Sequence, residues 1–144
     1  MIQRKGKKVL LFGTFSGIHE GHINLFKQAK KYGTYLTVVI ARDRTVKKVK
    51  KKLPLRNEEE RLRTLKKYSI INEIKLGYKN NPYRIIKEIK PDVICLGYDQ
   101  KAFTKDLKRQ LVKMELKKTK IYRLKSYKPE KYHSSIIEKN YVRH

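Results

Sequence analysis

Two histidines three residues apart, His19 and His22, stand in the run Gly13-Thr14-Phe15-Ser16-Gly17-Ile18-His19-Glu20-Gly21-His22. Imidazoles at this spacing in the first turn of a helix can donate to one anion together. The flanking residues supply such a helix: Val9, Leu10, Leu11 and Phe12 precede the run, and Ile23, Leu25, Phe26, Ala29 and Tyr32 recur behind it until Gly33. Strand, glycine-containing turn and helix follow one another. A helix N-terminus offers unpaired N–H groups and a partial positive charge, both suited to phosphate. Gly13, Gly17 and Gly21 let backbone approach a ligand closely. The chemistry is that of a nucleotide-phosphate site. A zinc pair is the competing use, but four histidines and one cysteine in the whole chain give no further ligand set, so no metal ligands are assigned.

The rest of the chain alternates strands with helices. Residues 9–12 read as a buried first strand and Tyr35–Ile40 as a β-branched second one. The basic stretch 42–52, ending before Pro54, is expected to be a mobile or ligand-ordered loop. A helix begins near Asn57, with Glu60 as capping-box partner and Leu62 and Leu65 turned inward. Ile70, Ile71, Ile74 and Leu76 suggest a short third strand. Asn81-Pro82 opens a helix with Ile85, Ile86 and Ile89 on one face, closed by Lys90-Pro91. Residues 92–96 form a fourth strand, Phe103, Leu107, Leu111 and Met114 recur at helical spacing, and residues 121–124 form a fifth strand. A last helix is expected from Ser134, capped by Ser135 with Glu138 as its partner. This order predicts an α/β fold, a Rossmann-like five-stranded parallel sheet with helices on both faces. Ligands then bind beyond the carboxyl ends of the strands, where the glycine turn, the basic stretch and the segment 97–100 all fall.

The 144 residues suit one domain spanning 1–144. No apolar run approaches membrane-spanning length, and the basic N-terminus lacks the apolar region of a signal peptide, so a cytoplasmic protein is expected. The single cysteine, Cys95, excludes an intrachain disulfide and reads as a small buried hydrophobe. Thirty-eight Lys and Arg against 13 Asp and Glu give a net charge of +25, which favours anionic substrates and brings nucleic acid into consideration. The lysines are spread along the chain rather than gathered into a stripe, and no nucleic-acid motif accompanies them. No Ser–His–Asp or Cys–His arrangement is present either. A site that handles an already ionised phosphate needs neither, only positioning and charge stabilisation.

His19-Glu20-Gly21-His22 in its strand–turn–helix setting resembles the HxGH signature of the nucleotidyltransferase superfamily, which includes cytidylyltransferases, adenylyltransferases and, more distantly, class I aminoacyl-tRNA synthetases. The resemblance implies that His19 and His22 contact the triphosphate and that Gly13, Thr14 and Phe15 line the nucleotide. It also implies a lysine after the second strand. Lys47, Lys48 and Lys50 compete for that role, with Lys47 taken as the catalytic group and Lys48 and Lys50 as substrate-phosphate contacts. Arg61 matches a helix-borne arginine used near the substrate phosphate, its alternative being a surface pair with Glu58 or a neighbour. Gly97-Tyr98-Asp99-Gln100 matches a Gly-x-Asp that lines the pocket for base and second substrate, giving roles to Gly97 and Asp99. Tyr132-His133-Ser134-Ser135-Ile136-Ile137 corresponds to a C-terminal Ile-Ser-Thr-Thr-x-Ile signature, so Ser134 and Ser135 would bind phosphate, and Lys125 or Lys128 stands where an arginine is usual.

Glycerol-3-phosphate cytidylyltransferases carry Gly-Asp-Asp-Trp at the fourth-strand position. This chain has Gln100 and no tryptophan. Gly-Tyr-Asp-Gln, and the stretch from Val38 to Lys48, are more similar to archaeal-type FAD synthases. Ser16 departs from the aspartate of many relatives, and Glu20 from the proline of archaeal FAD synthases. The resemblance implies transfer of AMP from ATP to FMN with release of pyrophosphate, a divalent cation such as Mg2+ on the triphosphate, and a homodimer. The alternatives are a CTP-dependent enzyme acting on glycerol-3-phosphate or another phosphoalcohol, and a nucleic-acid-binding protein on a nucleotide-binding fold.

Overall fold

The structure is a computed structural model. It describes residues 6–78, 81, 83–98, 100 and 106–126. Five strands, β1 (Lys8–Gly13), β2 (Tyr35–Ile40), β3 (Glu73–Leu76), β4 (Val93–Leu96) and β5 (Lys120–Arg123), form one sheet in the order β3-β2-β1-β4-β5. Every neighbouring pair is parallel. The helices are α1 (Glu20–Lys30), α2 (Asp43–Lys50), α3 (Glu58–Leu65), α4 (Arg84–Ile89) and α5 (Leu107–Lys113). The Rossmann-like α/β expectation holds.

Strands buried on both faces must be apolar at consecutive positions, and β1 shows why. Val9 and Leu11 join Phe26 and Ala29 of α1 and Leu65 of α3 in one core. Leu10 and Phe12 join Ile85 and Ile86 of α4 and Leu107 and Leu111 of α5 in the other. Cys95 lies in the first core, where burial pushes its thiol up to about 12.

The chain moves outward from β1 to β3, then returns to the far side of β1 with β4. The strand order therefore reverses between β1 and β4, where their diverging crossovers leave a crevice at the carboxyl edge. The register Leu11↔Cys95, continued by two residues, sets Gly13 beside Gly97 on that edge.

Two expectations are corrected. The basic stretch is not a loop, because residues Asp43–Lys50 form α2, closed by Lys51 in the left-handed conformation (φ 65°). The third strand does not include Ile70 and Ile71, which lie in the turn after α3 and pack into the first core. Asn57 and Glu60 form the expected reciprocal cap, with Glu60 N–H on Asn57 Oδ1 at 2.8 Å and Asn57 N–H on Glu60 Oε1 at 3.3 Å. Pro82, Phe103 and the last helix from Ser134 lie outside the described residues. No described helix is long and apolar enough to cross a membrane.

Candidate active site

The crevice is walled on one side by the turn after β1. Gly13 closes the strand, its carbonyl accepting the Ala41 N–H at 3.0 Å. The residue that turns the backbone is not a glycine: Phe15 holds φ 53°, whereas no described glycine has a positive φ. Its ring folds back over Gly13 and packs against Phe26 and edge-on against His22, each at 5.5 Å between centroids. Gly17 is not a crowded position, since a Cβ there would meet only Leu55, at 4.0 Å.

The histidines do two things at once. His19 is the N-cap of α1, and its Nδ1 accepts the Gly21 N–H at 3.0 Å. Nδ1 of His22 accepts the His19 N–H at 3.2 Å. This is a reciprocal cap built from two imidazoles at the spacing usually taken by Ser and Glu. With Nδ1 accepting in both rings, the neutral form of each carries its proton on Nε2. The rings lie 4.0 Å apart. Burial lowers the His19 pKa, and that of His22 falls to about 3, through burial first and then through the charges of His19 and Lys50. At neutral pH the site therefore presents two uncharged N–H donors at a helix N-terminus.

The three candidate lysines are separated by α2. Its one buried residue is Val46. All three lysines are exposed, but Lys50 stands one helical turn beyond Val46 and so shares its side of the helix, whereas Lys47 and Lys48 stand about 100° and 200° around from it. Lys50 is also the lysine whose charge acts on His22.

Arg61 is fully buried, which the sequence alternatives did not foresee. Its guanidinium donates to the Thr14 carbonyl at 2.7 Å, to the Arg56 carbonyl at 3.0 Å and to Asp43 at 2.9 Å. It thus ties the turn after β1 to α2 and α3. The opposite lip of the crevice is the turn after β4. There Gly97 N–H donates to Gln100 Oε1 at 3.2 Å, and Arg123 donates to the carbonyls of Gly97 (2.8 Å) and Gln100 (2.7 Å). Asp99, Ser134 and Ser135 lie outside the described residues.

The cytidylyltransferase-like family model matches residues 10–140. The chain belongs to that family. It is 37% identical to the FAD synthase of Aciduliprofundum boonei over 83% of this chain and 79% of the relative. It is 36% identical to the FAD synthase of Thermoplasma acidophilum over 92% of each chain. A solved structure described as the lipopolysaccharide core biosynthesis protein from Thermoplasma volcanium superposes with a TM-score of 0.78 at 34% identity, covering 85% of this chain and 98% of that one.

Several residues of this cytidylyltransferase-like site carried no signal that the motif reading used. Ser16 Oγ accepts the Leu55 N–H at 3.1 Å, pinning the segment between α2 and α3 to the histidine turn. Arg42 reaches the Gly77 carbonyl at 2.8 Å and Glu58 at 3.0 Å. Glu58 Oε1 accepts the Asp43 N–H at 2.9 Å, and Asp43 Oδ2 accepts the Glu58 N–H at 3.3 Å. The acidic first turn of α3 is a capping signal, but its partner helix α2 shows no apolar period in the sequence. The sequence signal for Arg123 is its place as the lone arginine of the fifth strand.

Proposed function

We propose that this chain is an FAD synthase, transferring AMP from ATP to FMN and releasing pyrophosphate. The reading is carried by the paired imidazoles at the start of α1, held neutral with Nδ1 committed to the cap. Its support in the comparisons is the set of FAD synthase relatives matched along most of the chain.

An oxygen of the FMN phosphate attacks the α-phosphorus of ATP. The bond from that phosphorus to the bridging oxygen breaks, and pyrophosphate departs with the electron pair. The nucleophile brings its own charge, because the second ionisation of a phosphate monoester lies near pH 6. No protein base is required. The chain's part is to align the two phosphates and to stabilise the charge that moves onto the leaving group. His19 and His22 offer Nε2–H donors for that purpose, the N-terminus of α1 adds its dipole, and Lys50 supplies the cation. Gly97 and Arg123 shape the wall facing the base or flavin.

A divalent cation would arrive on the triphosphate and offset repulsion between the two phosphate-bearing substrates. Among the described residues no group of three or more His, Cys, Asp or Glu side chains could hold a metal ion.

The test is a pyrophosphate-release assay crossing ATP and CTP with FMN and glycerol-3-phosphate, products being separated by chromatography. FAD from ATP and FMN is the expected product. Product formed only from CTP would replace this reading with the cytidylyltransferase one.

A further inference from the structure

The helix that carries Lys50 has little to hold it in place. Val46 is its one buried side chain, so apolar packing fixes neither its tilt nor its rotation strongly. Polar contacts that fix its orientation gather at its N-terminal end. Arg42, the N-cap, offers no side-chain cap of its own. The cap comes from another helix. One oxygen of Glu58 takes the Asp43 N–H, at 2.9 Å, and the other takes the Arg42 guanidinium, at 3.0 Å. Arg42 is braced in turn on the Gly77 carbonyl at 2.8 Å. Asp43 returns the exchange, with one oxygen on the Glu58 N–H (3.3 Å) and the other on the buried Arg61 (2.9 Å). The first residues of α2 and α3 therefore cap each other. Each carboxylate also meets the partial positive charge of the opposite helix start.

We infer that Glu58 is a positioning residue that acts through Lys50, setting where the far end of α2 stands relative to His22. The inference rests on the proposed FAD synthase reading for Lys50's role. The lever is long: at 1.5 Å rise per residue, Lys50 lies about 10 Å along the axis from Asp43, so a tilt of about 10° moves it by nearly 2 Å. Misplacement by about an ångström can cost as much as ~100-fold in rate, so such a shift is enough to weaken the charge's effect on the α-phosphate under attack. Glu58 acts in this role without touching substrate.

The experiment is a double-mutant cycle on the full chain, measuring FAD formation and, by calorimetry, MgATP affinity for wild type, Glu58→Ala, Lys50→Ala and the double variant. Glu58→Ala is expected to lower kcat about 30-fold while changing KM for FMN less than about 3-fold. In the Lys50→Ala background the same change should cost less than about 3-fold. An equal cost in both backgrounds, or no cost in the wild-type background, overturns the inference. Should Glu58→Ala fail to fold, Arg42→Ala leaves the Glu58–Asp43 exchange in place while removing the Arg42–Glu58 pair and the brace to Gly77, and the same cycle is run on it. Wild-type protein that binds MgATP but makes no FAD removes the FMN reading, and the cycle is then read in MgATP affinity alone. Wild-type protein that binds no MgATP removes both.

Discussion

The ring of Phe15 occupies the space that a Cβ on Gly13 would need: the added carbon would stand 2.5 Å from Cε2 and Cζ of that ring. The ring cannot swing aside cheaply, because it is buried between Phe26 and His22 and its backbone is already left-handed. Gly13 is therefore needed for close contact within the protein, in addition to any approach of ligand. Gly13→Ala should destabilise the fold by about 1–3 kcal/mol and disturb His22 through the displaced ring. Denaturant unfolding together with MgATP titration checks this, and an unchanged midpoint with unchanged affinity would refute it.

His22→Ala should lower turnover at least about 100-fold, the loss expected when one transition-state donor is removed. Circular dichroism is expected to stay native, since the sheet does not depend on this ring. A variant retaining nearly full turnover would remove the central role given to the pair.

The lysines should separate by their place on α2. Lys50→Ala is expected to reduce kcat at least about 30-fold, whereas Lys47→Ala and Lys48→Ala should each stay within about 3-fold of wild type. Steady-state kinetics of the three variants decides, and a larger loss at Lys47 would restore the assignment made from sequence.

Acid should weaken the fold through His22. An unfolded imidazole takes up a proton near pH 6.5, while folded His22 stays neutral down to about 3. Between those values the unfolded chain binds the extra proton, so stability falls as pH drops and is unaffected by this group above 6.5. The contribution is about 2 kcal/mol lost between pH 7.5 and pH 5. Urea midpoints of wild type and His22→Gln at the two pH values check it, the variant being expected to lose less. Equal losses would show that the ring titrates normally.

What the sequence made legible was whatever local pattern decides. The doubly buried strands announced themselves by consecutive apolar residues, and the Asn57/Glu60 cap by its spacing. Helix α2 was illegible for a physical reason. A helix with one buried side chain, Val46, shows no apolar period, and its start is fixed by Glu58 from another helix. Arg61 misled in the same way. Burying a guanidinium takes acceptors from three separate segments, and nothing in the local sequence reveals that Thr14, Arg56 and Asp43 will meet around it. The motif marks Phe15 only as a residue lining the nucleotide, whereas its left-handed backbone goes with packing against Phe26 and His22, which no local pattern announces.

The reversal of strand order beside β1 also has a bearing on how the protein comes into being. β1 can pair with β2 soon after both exist, but its other neighbour is distant in sequence, as the bond from Lys8 N–H to Asp92 shows by spanning 84 residues. Closing so long a loop is entropically dear and slow compared with local pairing. The histidine turn is thus an early arrival that waits, half-walled, for its opposite lip. Folding intermediates of this chain should expose the anion-binding edge of β1 before any pocket exists to give it selectivity.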